Sequence, residues 1–217
     1  MLGPYRQIFA YPGTLRFSLA GLLGRFPISM VTIAIILLTS HVYGSYTVAG
    51  ISSAVYTISQ ALVAPQLAKF VDRHGQARVM RPSLTVAMTG LVGLGAAAGL
   101  EAHPVWVYIT AGIAGSFMGS MSAMTRSRWS HVITDPSRIH TAYSWESVMD
   151  ECVFVVGPVF ATFLATQATP LIGLAVAILL AGGGGFWFLA QRGTEPPVLG
   201  ADAEASRGTV LSSQGML

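Results

Sequence analysis

Ala68-Lys69-Phe70-Val71-Asp72-Arg73-His74-Gly75-Gln76-Ala77-Arg78 is a short charged run set between two long apolar stretches. Charge is scarce elsewhere. Only 10% of the 217 residues are Asp, Glu, Lys or Arg, while 53% are hydrophobic. A water-soluble domain carries about 25% charged residues. This chain cannot cover a water-facing surface, which excludes a soluble enzyme. A disordered chain, which needs low hydrophobicity and high charge, is excluded as well. The charged run therefore reads as a tight turn between two membrane-crossing segments.

Working outward from that turn, apolar stretches of crossing length recur at residues 17–39, 47–70, 82–100, 105–125, 139–164 and 171–190. Each is near the ~20 residues that a helix needs to cross a bilayer. Sustained period-2 alternation is absent, so a β-barrel is not expected. Backbone polar groups in lipid must be satisfied within the segment, so the stretches are expected to be helices. Residues 1–16 precede them as an N-terminal segment. Residues 191–217 follow as a flexible tail or linker, rich in Pro, Gly and polar residues. The N-terminus resembles a signal peptide only superficially. Its apolar part contains Arg25 and is too long, so it reads as a retained first helix.

The basic residues set the orientation. Arg6 and Arg16 precede the first stretch. Lys69, Arg73, Arg78 and Arg81 lie between the second and third, and Arg126, Arg128 and Arg138 between the fourth and fifth. Arg192 and Arg207 follow the sixth. The other three connections, near residues 41–46, 101–104 and 167–170, hold no Lys or Arg. Under the positive-inside rule both termini are expected in the cytoplasm. Tyr43, Tyr46, Trp106 and Tyr108 would mark the outer edge, and Trp129 and Trp187 the inner one. The net charge of +3 thus reports topology, and no nucleic-acid partner is expected.

The charged turn resembles the signature of the major facilitator superfamily of secondary transporters, G-x-x-x-D-R-x-G-R-[RK]. Asp72, Arg73 and Gly75 match in type and spacing. Ala68 replaces the first glycine, and Gln76 and Ala77 replace the two basic residues, with Arg78 close by. The resemblance implies an all-α integral membrane protein. Its six transmembrane helices would form the N-terminal half of such a carrier, a 3+3 inverted repeat, in the cytoplasmic (plasma) membrane. It also implies a gating role for Asp72, Arg73, Gly75 and Arg78. Gly157-Pro158 resembles the end of the family's antiporter motif, although the upstream glycines are missing. The arginine that drug antiporters of the family often place in the fourth helix is also missing. A helix kink and a role in antiport both stay open for this pair.

Four ionisable residues fall inside apolar stretches. Arg25 lies nine residues past Arg16, about 14 Å along a helix. Glu146, Asp150 and Glu151 lie 8, 12 and 13 residues past Arg138, about 12–20 Å along. A charge at the centre of a membrane helix costs ~2.5–3.5 kcal/mol. Pairing Arg25 with Glu146 or Asp150 across the bundle lowers that cost. A permanent ion pair and a proton-coupling acid are the two readings. Gly95-xxx-Gly99 and Gly115-xxx-Gly119 are expected to serve close helix packing, and the run Gly182–Gly185 to loosen the end of the sixth helix.

The expected function is secondary active transport of a small solute by alternating access, with efflux and proton coupling open. The expected partners are the lipid bilayer and a second six-helix half or a second copy. No cofactor and no metal are expected, since one cysteine and scattered histidines make no ligand set. One alternative is a truncated or degenerate carrier half without activity. Another is an intramembrane enzyme of the rhomboid type, but no glycine stands two residues before Ser116 or Ser120, and no mid-helix histidine supports it.

Overall fold

The computed structural model describes residues 3–198. The described residues form helices and connections, with no strand among them. A short helix, α1 (Gly3–Ile8), leads into α2 (Thr14–Tyr43) and α3 (Tyr46–His74). They are followed by α4 (Gln76–Gly99), α5 (Pro104–Phe117), α6 (Met121–Val132), α7 (Pro136–Gln167) and α8 (Pro170–Ala190).

The turns follow from local chemistry. Gly44 ends α2 with φ +58°, a left-handed residue that glycine adopts without strain. The Ser45 side chain then accepts a hydrogen bond from the Val48 N–H at the start of α3. Proline occupies the first position of α5, α7 and α8, where its missing N–H would have had no helical partner. Asp135 caps α7 by accepting from the Ser137 N–H at 2.9 Å. The Tyr43 hydroxyl donates to the Ala102 carbonyl at 2.7 Å, tying the end of α2 to the turn before α5.

Five helices are long and apolar enough to cross a membrane: α2, α3, α4, α7 and α8. The stretch expected as a fourth crossing at 105–125 is not one helix. It breaks at Met118–Ser120 into α5 and α6, with Gly119 at φ +66°. The break is stabilised from outside. Ser83 on α4 donates to the Phe117 carbonyl at 2.8 Å, satisfying one of the acceptors left at the end of α5. Ser120 caps α6 by accepting from the Ala123 N–H. Serines on both sides thus replace the helical bonds that the break removes.

α2 is central and packs on α3, α7 and α8, while α5 packs on α3 and α4, and α4 on α8. One apolar cluster, around Ile35, Leu91, Leu94 and Leu174, fills the end remote from the basic residues. A second, around Phe17, Met80, Trp129 and Phe188, fills the basic end. α1 closes that end: Ile8 is fully buried, and Phe9 sets its ring edge-on to Trp129 and Trp145.

Close approach depends on small residues, only some of them those anticipated. A Cβ on Gly184 would stand 2.3 Å from the Gly24 backbone nitrogen, so α8 lies directly against α2 there. The Gly182–Gly185 run therefore serves contact, and α8 stays helical through Ala190. A Cβ on Gly115 would stand 2.1 Å from the Tyr56 carbonyl oxygen. On α4 the tight contact is at Gly90, where a Cβ would meet the Ala114 backbone nitrogen at 2.9 Å; Gly99 has open space.

The segment expected to be flexible from residue 191 is packed at its beginning. Arg192–Thr194 form a 3-10 turn, and Thr194 is buried. Arg128 and Glu195 supply the contacts that hold it. Residues 199–217, the rest of that expected tail, lie outside the described residues.

Candidate functional site

The buried charges of α2 and α7 meet at the basic end of the bundle. The Arg25 guanidinium donates through Nη2 to Glu146 Oε2 and through Nη1 to Asp150 Oδ1, the latter at 3.2 Å. Arg25 is 2% exposed and Glu146 1%. Both expected pairings thus occur at once. Glu146 and Asp150 are four residues apart, one turn along the same face of α7, and a forked guanidinium can reach both.

α6 completes the network. Ser122, Arg126 and Trp129 follow the i, i+4, i+7 spacing of one helix face. Ser122 Oγ donates to Asp150 Oδ1 at 2.8 Å, and Arg126 Nη2 to Asp150 Oδ2 at 2.8 Å. Trp129 Nε1 donates to Glu146 Oε1, which also accepts from Ser18 Oγ at 3.2 Å. Trp145 Nε1 in turn donates to Ser18 Oγ at 3.1 Å. Two guanidiniums face two carboxylates, so the set is electrically balanced. A buried charge is tolerated only when paired and hydrogen-bonded, and every carboxylate oxygen here has at least one donor. The two acids differ in access. Asp150 is 19% exposed and its partner Arg126 38%, whereas Glu146 is sealed.

By sequence Arg126 is a basic residue of an inner connection and Trp129 an inner-edge aromatic, and nothing singles out Ser18 or Ser122. The available signal was the common face of 122, 126 and 129. It is visible only once the break at Gly119 starts a new helix.

Glu151 does not join the network. It points away from the core on the exposed side of α7, with no ion pair or hydrogen bond among the described residues. Gly157 is buried against α2, where a Cβ would overlap Ser29 Oγ at 2.0 Å. Ser29 donates to the Val153 carbonyl at 3.0 Å beside it. The Gly157-Pro158 pair thus includes a packing contact between α7 and α2.

The charged turn forms a second polar layer. Gly75 joins α3 to α4 with φ +91° and ψ +151°, a region open in practice only to glycine. Asp72, Arg73 and Arg78 are exposed around it. The α4 N-terminus is capped by a residue from far along the chain: Glu195 Oε1 accepts from the Ala77 N–H at 2.8 Å. A carboxylate is favoured at that positive end of the helix dipole. Asp72 takes no such bond among the described residues and instead lines a cleft between α3 and α6, with Leu67, Gln76, Met80 and Ser127.

Arg128 links this layer to α6. Its Nε donates to Gln76 Oε1 at 2.9 Å, and its Nη1 to the Gln191 carbonyl at 2.8 Å and to Thr194 Oγ1 at 3.0 Å. Its guanidinium lies 3.8 Å over the Phe188 ring. Gln76 closes the loop by donating to the Met124 carbonyl at 3.1 Å. α6 therefore holds both layers, Arg126 reaching the buried acids and Arg128 reaching the turn and the segment after α8. Replacing Arg128 by Ala strips that segment of two donors and leaves buried acceptors unpaired. The expected result is faster proteolytic cleavage after residue 191 in the variant than in the parent, measured by limited digestion and mass spectrometry.

A family model described as Major Facilitator Superfamily matches residues 17–215. No curated protein and no solved structure matches the chain.

Proposed function

The chain belongs to the major facilitator superfamily, whose members are membrane transporters of small solutes, and from that premise we propose secondary active transport by alternating access. The observation that carries this reading is the buried network of Arg25, Glu146, Asp150 and Arg126, which ties α2, α6 and α7 together beside a helix break. Ionisable residues within membrane helices mark solute and ion pathways. Interrupted helices occur in transporters where they line a cavity.

In this reading α5 and α6 together make one interrupted crossing, which brings the crossings to six, in a 3+3 inverted repeat. The basic end then faces the cytoplasm, as the segregation of Lys and Arg requires, and the membrane is the plasma membrane. The chain supplies one six-helix half. α3 and α7, the least covered of the five long apolar helices, would meet a second half or a second copy. Asp72, Arg73, Gly75 and Arg78 would act as the inner gate, with α6 as the lever that couples them to the acids. Asp150 is the member suited to change partners, because it is partly exposed and shared between Arg25 and Arg126. Its protonation would couple solute movement to protons, and export would be the direction. Glu146, enclosed by Arg25, Trp129 and Ser18, would be the fixed anchor.

The test uses the purified chain in proteoliposomes under an imposed pH gradient, with a panel of radiolabelled small solutes. Flux that responds to the gradient is the expected result, and Asp150→Asn should lower it at least tenfold per folded molecule, beyond the loss of thermal stability that comes from leaving two arginines facing one carboxylate. Well-folded protein that moves nothing across the panel would count against transport. Gradient-driven flux fully retained in Asp150→Asn would remove this acid from the coupling step.

A further inference from the structure

Glu151 sits at the middle of the 32-residue α7, 15 residues after Pro136 and 16 before Gln167, about 22–24 Å from either end. It is exposed, with no ion pair or hydrogen bond among the described residues. An ionised side chain within a membrane-crossing helix is costly in lipid and is expected to face protein or water.

Its surroundings on α7 agree. With about 3.6 residues per turn, His140, Ser144, Ser147 and Glu151 share one polar stripe, which continues through Phe154 and Pro158 to Thr162. This polar stripe lies between the buried face of Ala142, Glu146, Val153 and Gly157 and an apolar exposed face of Val148, Val155, Val159 and Phe163. A helix bordered on both sides by lipid has no use for the polar strip.

The hydrogen-bonding state of the stripe fixes its chemistry. Ser144 donates to the His140 carbonyl at 2.9 Å, Ser147 to the Tyr143 carbonyl at 3.0 Å, and Thr162 to the Pro158 carbonyl at 2.8 Å. Each hydroxyl proton is committed to the helix, so each oxygen has only acceptor capacity left. Pro158 has no N–H to donate to the Phe154 carbonyl, one turn from Glu151. The stripe thus offers a carboxylate and neutral acceptors but no donor near Glu151. The two arginines bound at the neighbouring Asp150 are already committed, Arg25 to Glu146 and Asp150, and Arg126 to Asp150.

We propose that the Glu151 stripe of α7 binds the transported solute through a cationic ammonium group. This rests on the carrier reading and adds the substrate class. The carboxylate supplies the charge, and Ser147, one turn away, accepts a hydrogen bond from an ammonium N–H. A solute with an anionic group at the same position would meet acceptors only and be excluded.

Charged thiol reagents of equal length test it in the membrane-embedded chain. Cys152→Ser removes the natural thiol, and Ser147→Cys places one a single turn from Glu151. Aminoethyl methanethiosulfonate is cationic and sulfonatoethyl methanethiosulfonate anionic, and their rates are compared with those on a free thiol. The expected result is a cation preference at least tenfold above the free-thiol ratio, which returns to that ratio when Glu151→Gln is added. Ser144→Cys serves in the same way if the first variant fails to accumulate. A free-thiol ratio with Glu151 intact overturns the proposal, and is the outcome if a fixed basic residue of another half or copy neutralises the acid. Absence of reaction with either reagent also overturns it, because the stripe is then dry or in lipid. The carrier reading is scored separately by which side of the membrane the reagents reach the thiol from. Access confined to one face under all conditions counts against alternating access whatever the charge ratio.

Discussion

Glu146→Ala is expected to leave little folded protein. Arg25 is 2% exposed and gives one fork of its guanidinium to Glu146. Removing that carboxylate strands the fork in a dry site and also deprives Trp129 and Ser18 of their acceptor. Breaking a buried ion pair from one side costs about 3–5 kcal/mol. Asp150 still holds Arg25 at 3.2 Å, which places the loss toward the lower end of that range. A membrane bundle destabilised by ~3 kcal/mol shifts its folded-to-unfolded ratio more than a hundredfold. Glu146→Gln keeps an acceptor for Trp129 and should lose less. The double variant Arg25→Met with Glu146→Met removes both charges together and should regain much of the loss, as apolar replacements of buried pairs often do. Thermal unfolding of the detergent-solubilised variants checks the order. A Glu146→Ala protein as stable as its parent would mean that the pair contributes nothing to the fold.

Gly184→Ala is expected to be the most disruptive single-methyl change on α8. The added Cβ would stand 2.3 Å from the Gly24 nitrogen and 2.7 Å from the Leu23 carbonyl carbon. These are backbone atoms of α2, so no side-chain rotation relieves the overlap, and the two helices must separate. Overpacking costs typically ~1–3 kcal/mol, and the upper end applies where backbone meets backbone. Gly183→Ala is the control one residue away. A Cβ there meets nothing within 4 Å, so alanine should be neutral or stabilise the helix by about 0.5–1 kcal/mol. Opposite signs at adjacent positions, read as shifts in melting temperature, are the expected result. Equal effects would mean that α2 and α8 do not approach at Gly184.

The long helices could be read directly from residues because the solvent enforces them. Stretches such as 171–190 leave no other way to satisfy the backbone in an apolar medium. Pairing of Arg25 with the acids of α7 could be anticipated for a similar reason: unpaired charge in an apolar interior is costly. The network's remaining members could not. Trp129 and Arg126 acquire their roles from the direction in which α6 points, and that direction is set at Met118–Ser120. Nothing local marks the break. Gly119 stands four residues after Gly115 in a pattern that elsewhere means simple packing, and no proline interrupts the stretch. The break is held by Ser83, from another helix. Glu195 is a comparable case. It follows the last apolar stretch in a polar segment, and only folding brings it to the Ala77 N–H, 118 residues away in sequence.

Desolvation is a local property, and it let composition and charge placement specify membrane helices, a charged turn with its family resemblance, and the need for Arg25 to find an acid. Geometry is not local. Whether Gly184 loosens a helix or seats it, whether Glu151 joins Asp150 or faces outward, and whether residues 105–125 run as one helix depend on atoms supplied by distant segments. Those choices were settled when α2, α4 and α8 came within van der Waals contact, and they leave Glu151 as the intramembrane acid that the fold does not neutralise among the described residues.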